Sequence, residues 1–254
     1  MSNSFKLKNK NIIITGGSGF LGNQITNALI KENANVYIID IKQPKKISKK
    51  KFFLCDITNE KEVIKVLNFF KVKKKKIDVL INNAAIDYSP SRNFKNNFEF
   101  EKFPNNIWEK DISVSLKGSY LCTKIFGSYM SKFKKGSIIN ISSDLGIIAP
   151  DQRIYKKNFT KPVTYSVVKH GIIGLTKYTA AYWGNKNIRC NAIAPGGIFN
   201  NQDNDFIKKI KNLIPLGRMA KKNEYNGLIL FLCSELSSYL TGSVIVADGG
   251  RTII

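Results

Sequence analysis

The sequence predicts an α/β fold, a doubly wound parallel sheet of about seven strands with helices on both faces. Three observations support this prediction. Short apolar runs alternate with helical patterns along all 254 residues, a glycine-rich turn links the first run to the first helix, and the polar motifs fall where strands end. Repeated β–α–β units build parallel sheets, and such sheets bind ligands at the carboxyl ends of their strands.

The elements are predicted from the length and composition of each segment. The first strand run is short, β-branched and closed by glycine, which is typical of a buried strand. Strands are predicted at residues 11–15, 36–40, 52–55, 77–81, 137–141, 188–193 and 243–247. Helices are predicted at residues 19–33, 60–71, 105–133 and 163–184.

The chain is predicted to form a single domain over residues 1–254, because it contains no linker rich in Pro, Gly or Ser and no internal repeat. Two segments have the character of insertions. They are 88–104, which carries four phenylalanines, and 144–162, which is basic and polar. Residues 198–220 are expected to form a substrate lid, because this region has few strong packing signals.

Composition excludes several classes of protein. The hydrophobic fraction of 43% indicates a globular chain, and neither a membrane-spanning run nor a signal core is present, so a cytoplasmic protein is predicted. The four cysteines are far apart and are interpreted as reduced core residues, with no metal site expected. Because His170 is the only histidine, a catalytic triad based on histidine and a His-rich metal site are excluded.

The net charge of +23 could indicate a nucleic-acid partner. The lysines are spread along the chain among many asparagines and isoleucines, a composition that fits A/T-rich codons. We therefore interpret the charge as solvated surface and expect no specific nucleic-acid or membrane partner, although weak attraction to polyanions could follow.

The glycine-rich turn predicts a dinucleotide site. It follows a strand and opens a helix, so that its backbone can approach a pyrophosphate at the helix N-terminus. The cofactor-binding residues predicted here are Gly16, Ser18, Gly19, Phe20 and Leu21. Asp40 ends the second strand, where its carboxylate can bind both ribose hydroxyls and would repel a 2′-phosphate. NAD is therefore predicted over NADP, a preference that nearby Lys42 could weaken.

Tyr165 and Lys169 are spaced to lie on one face of a helix. An ammonium beside a phenol, whose ordinary pKa is about 10, favours the phenolate and creates a usable base. With the dinucleotide turn, this pair predicts proton transfer coupled to hydride transfer.

At this point the chain resembles the short-chain dehydrogenase/reductase family, whose fold is Rossmann-type. Motifs in the family's order carry the resemblance over nearly the whole chain: Thr15 to Gly22, Asp56-Ile57, Asn82-Asn83-Ala84-Ala85, Ser142-Ser143, Tyr165-x-x-x-Lys169, Pro195-Gly196-Gly197 and Val246 to Gly250. The resemblance implies further cofactor contacts at Asp56, Ile57, Asn82, Asn83, Ala84, Pro195, Gly197 and Ile198, besides Tyr165 and Lys169 themselves.

The resemblance also implies the catalytic roles. Tyr165 would be the acid/base, and Lys169 would lower its pKa and hold the nicotinamide ribose. Ser143 would hold the substrate oxygen, and Ser115 stands where the family has a catalytic Asn that anchors a water. A serine there implies a weaker or rerouted proton relay.

Two other features depart from the family's single-domain branch. The glycine spacing resembles that of the larger sugar-nucleotide epimerases and dehydratases, although the chain ends soon after Asp248. Ser143 and Tyr165 are twenty-two residues apart, where the family more often has about a dozen, because of the 144–162 insertion.

The predicted reaction interconverts a secondary alcohol and a ketone. Cations in the 144–162 insertion suggest an anionic sugar-type substrate: Arg153, Lys156, Lys157 and Lys161. Segments around residues 149–155, 161–170 and 213–220 resemble a subgroup linked to flagellin and surface-glycan sugar modification. The alternatives are a 3-oxoacyl-carrier-protein reductase and a non-catalytic dinucleotide-binding regulator. The family's long helices pair across two-fold axes, which implies a homodimer or homotetramer.

Overall fold

A computed structural model describes residues 5–44, 51–88, 98–157 and 159–254. In these ranges seven strands form one parallel sheet in the order β3-β2-β1-β4-β5-β6-β7. The strands are β1 (Asn11–Thr15), β2 (Asn35–Asp40), β3 (Phe52–Leu54), β4 (Val79–Asn82), β5 (Gly136–Ile141), β6 (Ile188–Pro195) and β7 (Val244–Ala247). The reversal of strand order between β1 and β4 creates the crevice where doubly wound sheets bind ligands.

Helices flank the sheet. They are α1 (Phe20–Lys31), α2 (Glu60–Val72), α3 (105–131), α4 (Val163–Trp183), α5 (Asn204–Lys211) and α6 (Asn226–Cys233). The helical run α3 joins α-helical segments Asn105–Asp111, Gly118–Cys122 and Ser128–Ser131 with π-helical segments Ile112–Lys117 and Thr123–Gly127. Short 3₁₀ turns lie at Phe100–Lys102, Asp144–Gly146, Gln152–Ile154, Gly184–Lys186, Glu235–Ser237 and Arg251–Ile253.

Two apolar layers sandwich the sheet, because the side chains of its strands alternate between two covered faces. Ile13 and Leu80 face one layer, which includes Phe70 of α2 and Phe126 of α3. Ile12 and Ile14 face the other, with residues of α1 and α6. Because both faces of the sheet are buried, the strand sequences are almost continuously apolar.

The predicted fold class and strand order along the chain are confirmed, with boundary shifts of one or two residues at most strands. The structure adds two helices that the sequence did not predict, α5 and α6. Within 198–220, where the sequence shows few strong packing signals, Phe206, Ile210, Ile214 and Met219 are buried.

These four residues form a third apolar cluster with Ile154 and Tyr155 of the 144–162 segment. The rings of Tyr155 and Phe206 stack with centroids 5.5 Å apart. The insertion and the 198–220 segment therefore pack against each other. Most of the 88–104 insertion lies outside the described residues.

A chain of buried amides and hydroxyls crosses the sheet at its carboxyl edge. Asn82 and Asn140 are register partners on β4 and β5. The Asn82 amide donates to Asn140 Oδ1 at 2.8 Å and to Thr123 Oγ1 at 2.9 Å, and the Asn140 amide donates to Thr176 Oγ1 at 2.8 Å. This chain links both strands to α3 and α4, the helices of the candidate site.

Over the described ranges, no helix is long and apolar enough to cross a membrane. All four cysteines are unpaired and buried. Nor do these ranges bring together three or more His, Cys, Asp or Glu side chains able to hold a metal ion.

Candidate active site

The glycine turn after β1 is held by close backbone contacts. Gly16 has φ +64°, and a Cβ there would lie 2.8 Å from Ala84 Cα. A Cβ on Gly22 would lie 2.1 Å from the Gly16 carbonyl oxygen. Both positions require glycine, the first for its left-handed backbone and the second for its lack of a side chain.

The N-terminus of α1 is open to an anion. Its first residue is Phe20, and the preceding Gly19 has extended backbone and provides no capping side chain. The first turn carries no acidic residue, so its backbone N–H groups and the positive end of the helix dipole remain available. Leu21 is half-buried behind this turn. A dinucleotide pyrophosphate fits this arrangement.

Asn83, the residue after β4, fixes the turn. Its amide Nδ2 donates to the carbonyl oxygens of Thr15 and Gly16, each at 3.1 Å. The Thr15 hydroxyl accepts from the backbone N–H groups of Asn83 and Ala84, both at 3.1 Å. Asn83 and Ala84 therefore hold the turn at the switch point of the sheet.

Asp40 lies beside the turn at the end of β2. One carboxylate oxygen accepts from the Ser18 backbone N–H at 2.9 Å, and the other accepts from that of Lys42 at 3.1 Å. The Ser18 hydroxyl donates to the Lys42 carbonyl oxygen at 2.6 Å. These contacts hold a half-buried carboxylate where a ribose would lie.

The remaining cofactor candidates line the same edge of the sheet. Asp56 is exposed, whereas the Ile57 side chain is buried against Gly118 of α3. Pro195 ends β6, and Gly197 and Ile198 follow it. Ile198 is held by a backbone bridge to Ala220.

Helix α4 presents Tyr165 and Lys169 to the carboxyl end of β5. Thr164, next to Tyr165, donates from Oγ1 to the buried carboxylate of Asp111, which anchors the start of the helix to α3. Lys169 is buried, and its Nζ donates to the Ile141 carbonyl oxygen at 2.9 Å. The same Nζ lies 5.6 Å from the centroid of the half-buried Tyr165 ring.

Ser143 follows β5 and faces this pair. Its Oγ donates to Asp144 Oδ1 at 2.7 Å and accepts from the Leu145 backbone N–H at 3.2 Å. Ser143 is also close enough to the Tyr165 phenol to lower its pKa. A hydroxyl has one proton, so Ser143 can donate to Tyr165 only by releasing Asp144. The Asp144 carboxylate also forms an ion pair with Arg251, whose Nη1 lies 2.7 Å away, and both side chains are buried.

Ser115 lies in the first π-helical segment of α3 and is buried. Its Oγ accepts from the Ile86 backbone N–H at 3.0 Å, and its carbonyl oxygen accepts from the Ser119 hydroxyl at 3.0 Å. π-Helical turns inside helices are frequently found at functional sites. Ser115 therefore ties α3 to the loop after β4.

Similar proteins were found by sequence and by structure. A family model described as enoyl-(acyl carrier protein) reductase matches residues 18–252. The 3-oxoacyl-[acyl-carrier-protein] reductase of Thermotoga maritima is 33% identical over 98% of this chain and 100% of its own length. The NAD-dependent glycerol dehydrogenase of Listeria innocua is 30% identical over 98% of this chain and 96% of its own length.

A crystal structure of a short chain dehydrogenase from Leptospira borgpetersenii with bound NAD+ matches with a TM-score of 0.88 and 34% identity, covering 97% of this chain and 94% of that one. The chain belongs to the short-chain dehydrogenase/reductase family. As a short-chain dehydrogenase/reductase it is an oxidoreductase that uses a nicotinamide dinucleotide to interconvert an alcohol and a ketone. The subgroup linked to surface-glycan sugars stays a prediction.

Burial changes the acidity of the central pair in this short-chain dehydrogenase/reductase. It raises the pKa of Tyr165 above its ordinary value of 10.0, the carboxylate of Asp87 raises it further, and the hydrogen bond with Ser143 lowers it. From the sequence, Lys169 is expected to lower this pKa; in the protein alone, burial and Asp87 give a net shift in the other direction. Burial also lowers the pKa of Lys169 from 10.5 to about 8, so its own charge is costly here.

Sequence reasoning did not place two charged residues, Lys161 and Asp87, next to Tyr165. Lys161 was noted only as one cation of the insertion, yet its Nζ lies 3.8 Å from the centroid of the Tyr165 ring. Asp87 was not singled out, although its Oδ1 accepts from Lys161 Nζ at 2.9 Å. They are 74 positions apart, and no local pattern joins them.

Proposed function

We propose that this protein oxidises or reduces a hydroxylated sugar-type substrate with NAD, using Tyr165 as the acid/base. The observation that carries the proposal is the juxtaposition of Tyr165, Lys169 and Ser143 at the carboxyl end of β5. The glycine turn and the open start of α1 lie on the same edge of the sheet. Proton transfer and cofactor binding thus share one crevice.

Each side chain has a distinct task in this proposal. Tyr165 takes the proton of the substrate hydroxyl during oxidation and returns it during reduction. Ser143 donates to the substrate oxygen as its charge changes. Lys169 supplies positive charge beside the phenol and binds ribose hydroxyls. The nicotinamide ring, when bound, accepts or donates the hydride and adds positive charge in its oxidised form.

The preference for NAD is supported by Asp40. Its carboxylate is held by two backbone N–H groups at the end of β2, where it can accept from ribose hydroxyls. A 2′-phosphate would meet this negative charge in the same place. The relative from Listeria innocua is itself named an NAD-dependent enzyme.

The substrate class is supported less by charge than the sequence suggested. In the insertion Arg153 pairs with Asp151, Lys156 faces Asp203 at 3.7 Å, and Lys161 pairs with Asp87. These carboxylates offset the cations that suggested an anionic substrate. We therefore propose that hydroxyl groups dominate recognition and that an anionic group adds to it.

A second candidate is reduction of a 3-oxoacyl thioester. It is favoured by the relative from Thermotoga maritima and by the description of the matching family model. Asp40 counts against it to the extent that such reductases use NADPH. A panel of glycerol, D-gluconate, sugar phosphates and nucleotide-linked sugars with NAD, and of acetoacetyl thioesters with NADH and NADPH, separates the two by absorbance of the reduced cofactor.

Replacing the phenol tests the role of Tyr165. Tyr165→Phe keeps the ring but removes the proton donor, so turnover of the best substrate in the panel should fall at least about 10²-fold. NADH binding, followed by cofactor fluorescence, should stay near the wild-type value.

Tyr178→Phe is the matched control, because Tyr178 lies on the same helix with its side chain exposed. It should keep full activity. A Tyr165→Phe enzyme that turns over at the wild-type rate would remove Tyr165 from the reaction. A strong preference for NADPH and acetoacetyl thioesters would replace the sugar proposal with the second candidate.

A further inference from the structure

Lys161 is held tightly beside the start of α4. Its backbone N–H donates to Gln152 Oε1 at 3.0 Å, and its carbonyl oxygen accepts from Gln152 Nε2 at 3.3 Å. Pro162 follows and precedes the helix. This two-way amide contact and the rigid proline fix the direction of the Lys161 side chain, which is only 8% exposed.

The ammonium of Lys161 contacts the face of the Tyr165 ring. Its Nζ is 3.8 Å from the ring centroid, closer than Lys169 Nζ at 5.6 Å. Loss of the phenol proton places negative charge in the ring as well as on the oxygen. A cation at this distance therefore stabilises the phenolate more than the phenol.

Asp87 opposes this effect from the loop after β4. Its Oδ1 is 2.9 Å from Lys161 Nζ, and the same ammonium donates to the Tyr88 carbonyl oxygen at 3.4 Å. The Asp87 side chain is 57% exposed, so water reaches its carboxylate. Its negative charge disfavours the phenolate.

We propose that the Lys161–Asp87 ion pair sets the acidity of Tyr165, with Lys161 favouring the phenolate and Asp87 opposing it. The inference rests on the proposed function of Tyr165 as acid/base. Lys161 acts through Tyr165 and is thus a positioning residue with an electrostatic role. This role accounts for a buried cation at Lys161, beside the start of α4.

Other charged and polar groups also face Tyr165. Lys169 lies on its own helix, and Asp144 follows Ser143 after β5 and is paired with Arg251. Tyr155, on the insertion, adds a further phenol. None of these groups changes in the variants below, so differences in Tyr165 acidity report the ion pair alone.

The test is an ultraviolet titration of the phenolate with saturating NAD. Subtracting the Tyr165→Phe protein isolates Tyr165 from the other tyrosines. Lys161→Met should raise the pKa of Tyr165 by about one unit or more, because it removes the nearest cation and leaves Asp87. Asp87→Asn should lower it, and the double variant should lie between wild type and Lys161→Met.

Where a substrate of the panel is turned over, the alkaline shift of kcat in Lys161→Met should match the titration. NADH fluorescence and thermal melting show which variants are folded. If Lys161→Met does not fold, the Asp87→Asn variant alone tests the inference, because its expected shift of the Tyr165 pKa has the opposite sign. Unchanged Tyr165 acidity in the folded variants overturns the inference.

The two proposals fail differently. An active wild type that Tyr165→Phe inactivates, with no shift in the titrations, overturns the role of the ion pair and keeps the proposed function. A wild type inert with the whole panel, whose Tyr165 still titrates in the expected order, overturns the proposed function and supports the ion pair.

Discussion

The ammonium of Lys169 lies inside the protein, 2.9 Å from the Ile141 carbonyl oxygen, and burial lowers its pKa to about 8. In the unfolded chain the same group has a pKa of about 10.4. Between these values the unfolded state binds more protons, so folding becomes more favourable as the pH rises. Lys169, to which the proposed function gives a role in the reaction, therefore weakens the fold at neutral pH.

Lys169→Met removes this pH dependence. The free energy of unfolding of wild type, relative to the variant, should increase by about 2 kcal/mol between pH 7.5 and 9.5. The variant also loses the hydrogen bond to Ile141, which lowers its free energy of unfolding by an amount that does not vary with pH. Urea unfolding of the cofactor-free proteins measures the difference, and parallel stability curves for the two proteins would contradict it.

The sequence located Tyr165 and Lys169 because helical periodicity is a local property. It could not give the direction of the Tyr165 pKa, which depends on burial and on Asp87 from a distant loop. Lys161 shows the same limit. Its type and charge were visible, but its contact with the ring depends on how the whole insertion folds back.

At the scale of elements, the turn between β1 and α1 depends on two glycines for different reasons. Gly16 needs its left-handed backbone, whereas Gly22 has an ordinary helical position with no room for a side chain. The carbonyl oxygen that crowds Gly22 belongs to the turn itself. Helix and cofactor loop therefore cannot be altered independently.

Gly22→Ala should lower the free energy of unfolding by about 1–3 kcal/mol, because its methyl group overlaps a backbone atom that cannot rotate away. It should also weaken NADH binding. The matched control is Gly174→Ala on α4, where an added Cβ meets nothing within 4 Å. The control should gain about 0.5–1 kcal/mol from helix propensity. Equal effects of both substitutions in chemical unfolding would refute the steric explanation.

The elements that sequence reasoning missed were short. Helix α6 is almost wholly apolar, and a short apolar run is ambiguous between strand and helix. Helix α5 has eight residues, with Asp203 as its N-cap, and its buried residues Phe206 and Ile210 lie four positions apart. That signal is helical, but it covers barely two turns. Long segments with strand–turn–helix order, by contrast, were predicted to within a few residues.

At the scale of the whole molecule, the C-terminal segment reaches the catalytic centre. Arg251 and Asp144 are 107 positions apart, and their ion pair is buried directly behind Ser143. The last residues of the chain thus help to orient the serine hydroxyl. The homodimer or homotetramer that the family resemblance implies stays a prediction.

Arg251→Met should leave the Asp144 carboxylate buried without its cation. Breaking such a pair typically costs about 3–5 kcal/mol, so the melting temperature should fall sharply. The double variant Arg251→Met/Asp144→Asn should recover part of this loss, because the amide carries no charge. If the single variant melts like wild type, the pair does not stabilise the fold.

The buried hydrogen bonds from Thr123 through Asn82 and Asn140 to Thr176 constrain the register in which β4 pairs with β5. A β4 strand misaligned by one position would turn its amide away from these partners. Each polar group left without a partner in the apolar interior would then lower the stability of the fold by about 1–3 kcal/mol. Apolar strands alone can pair in several registers. The buried hydrogen bonds form in only one of them, so the native register at the edge that carries the candidate site is favoured during folding.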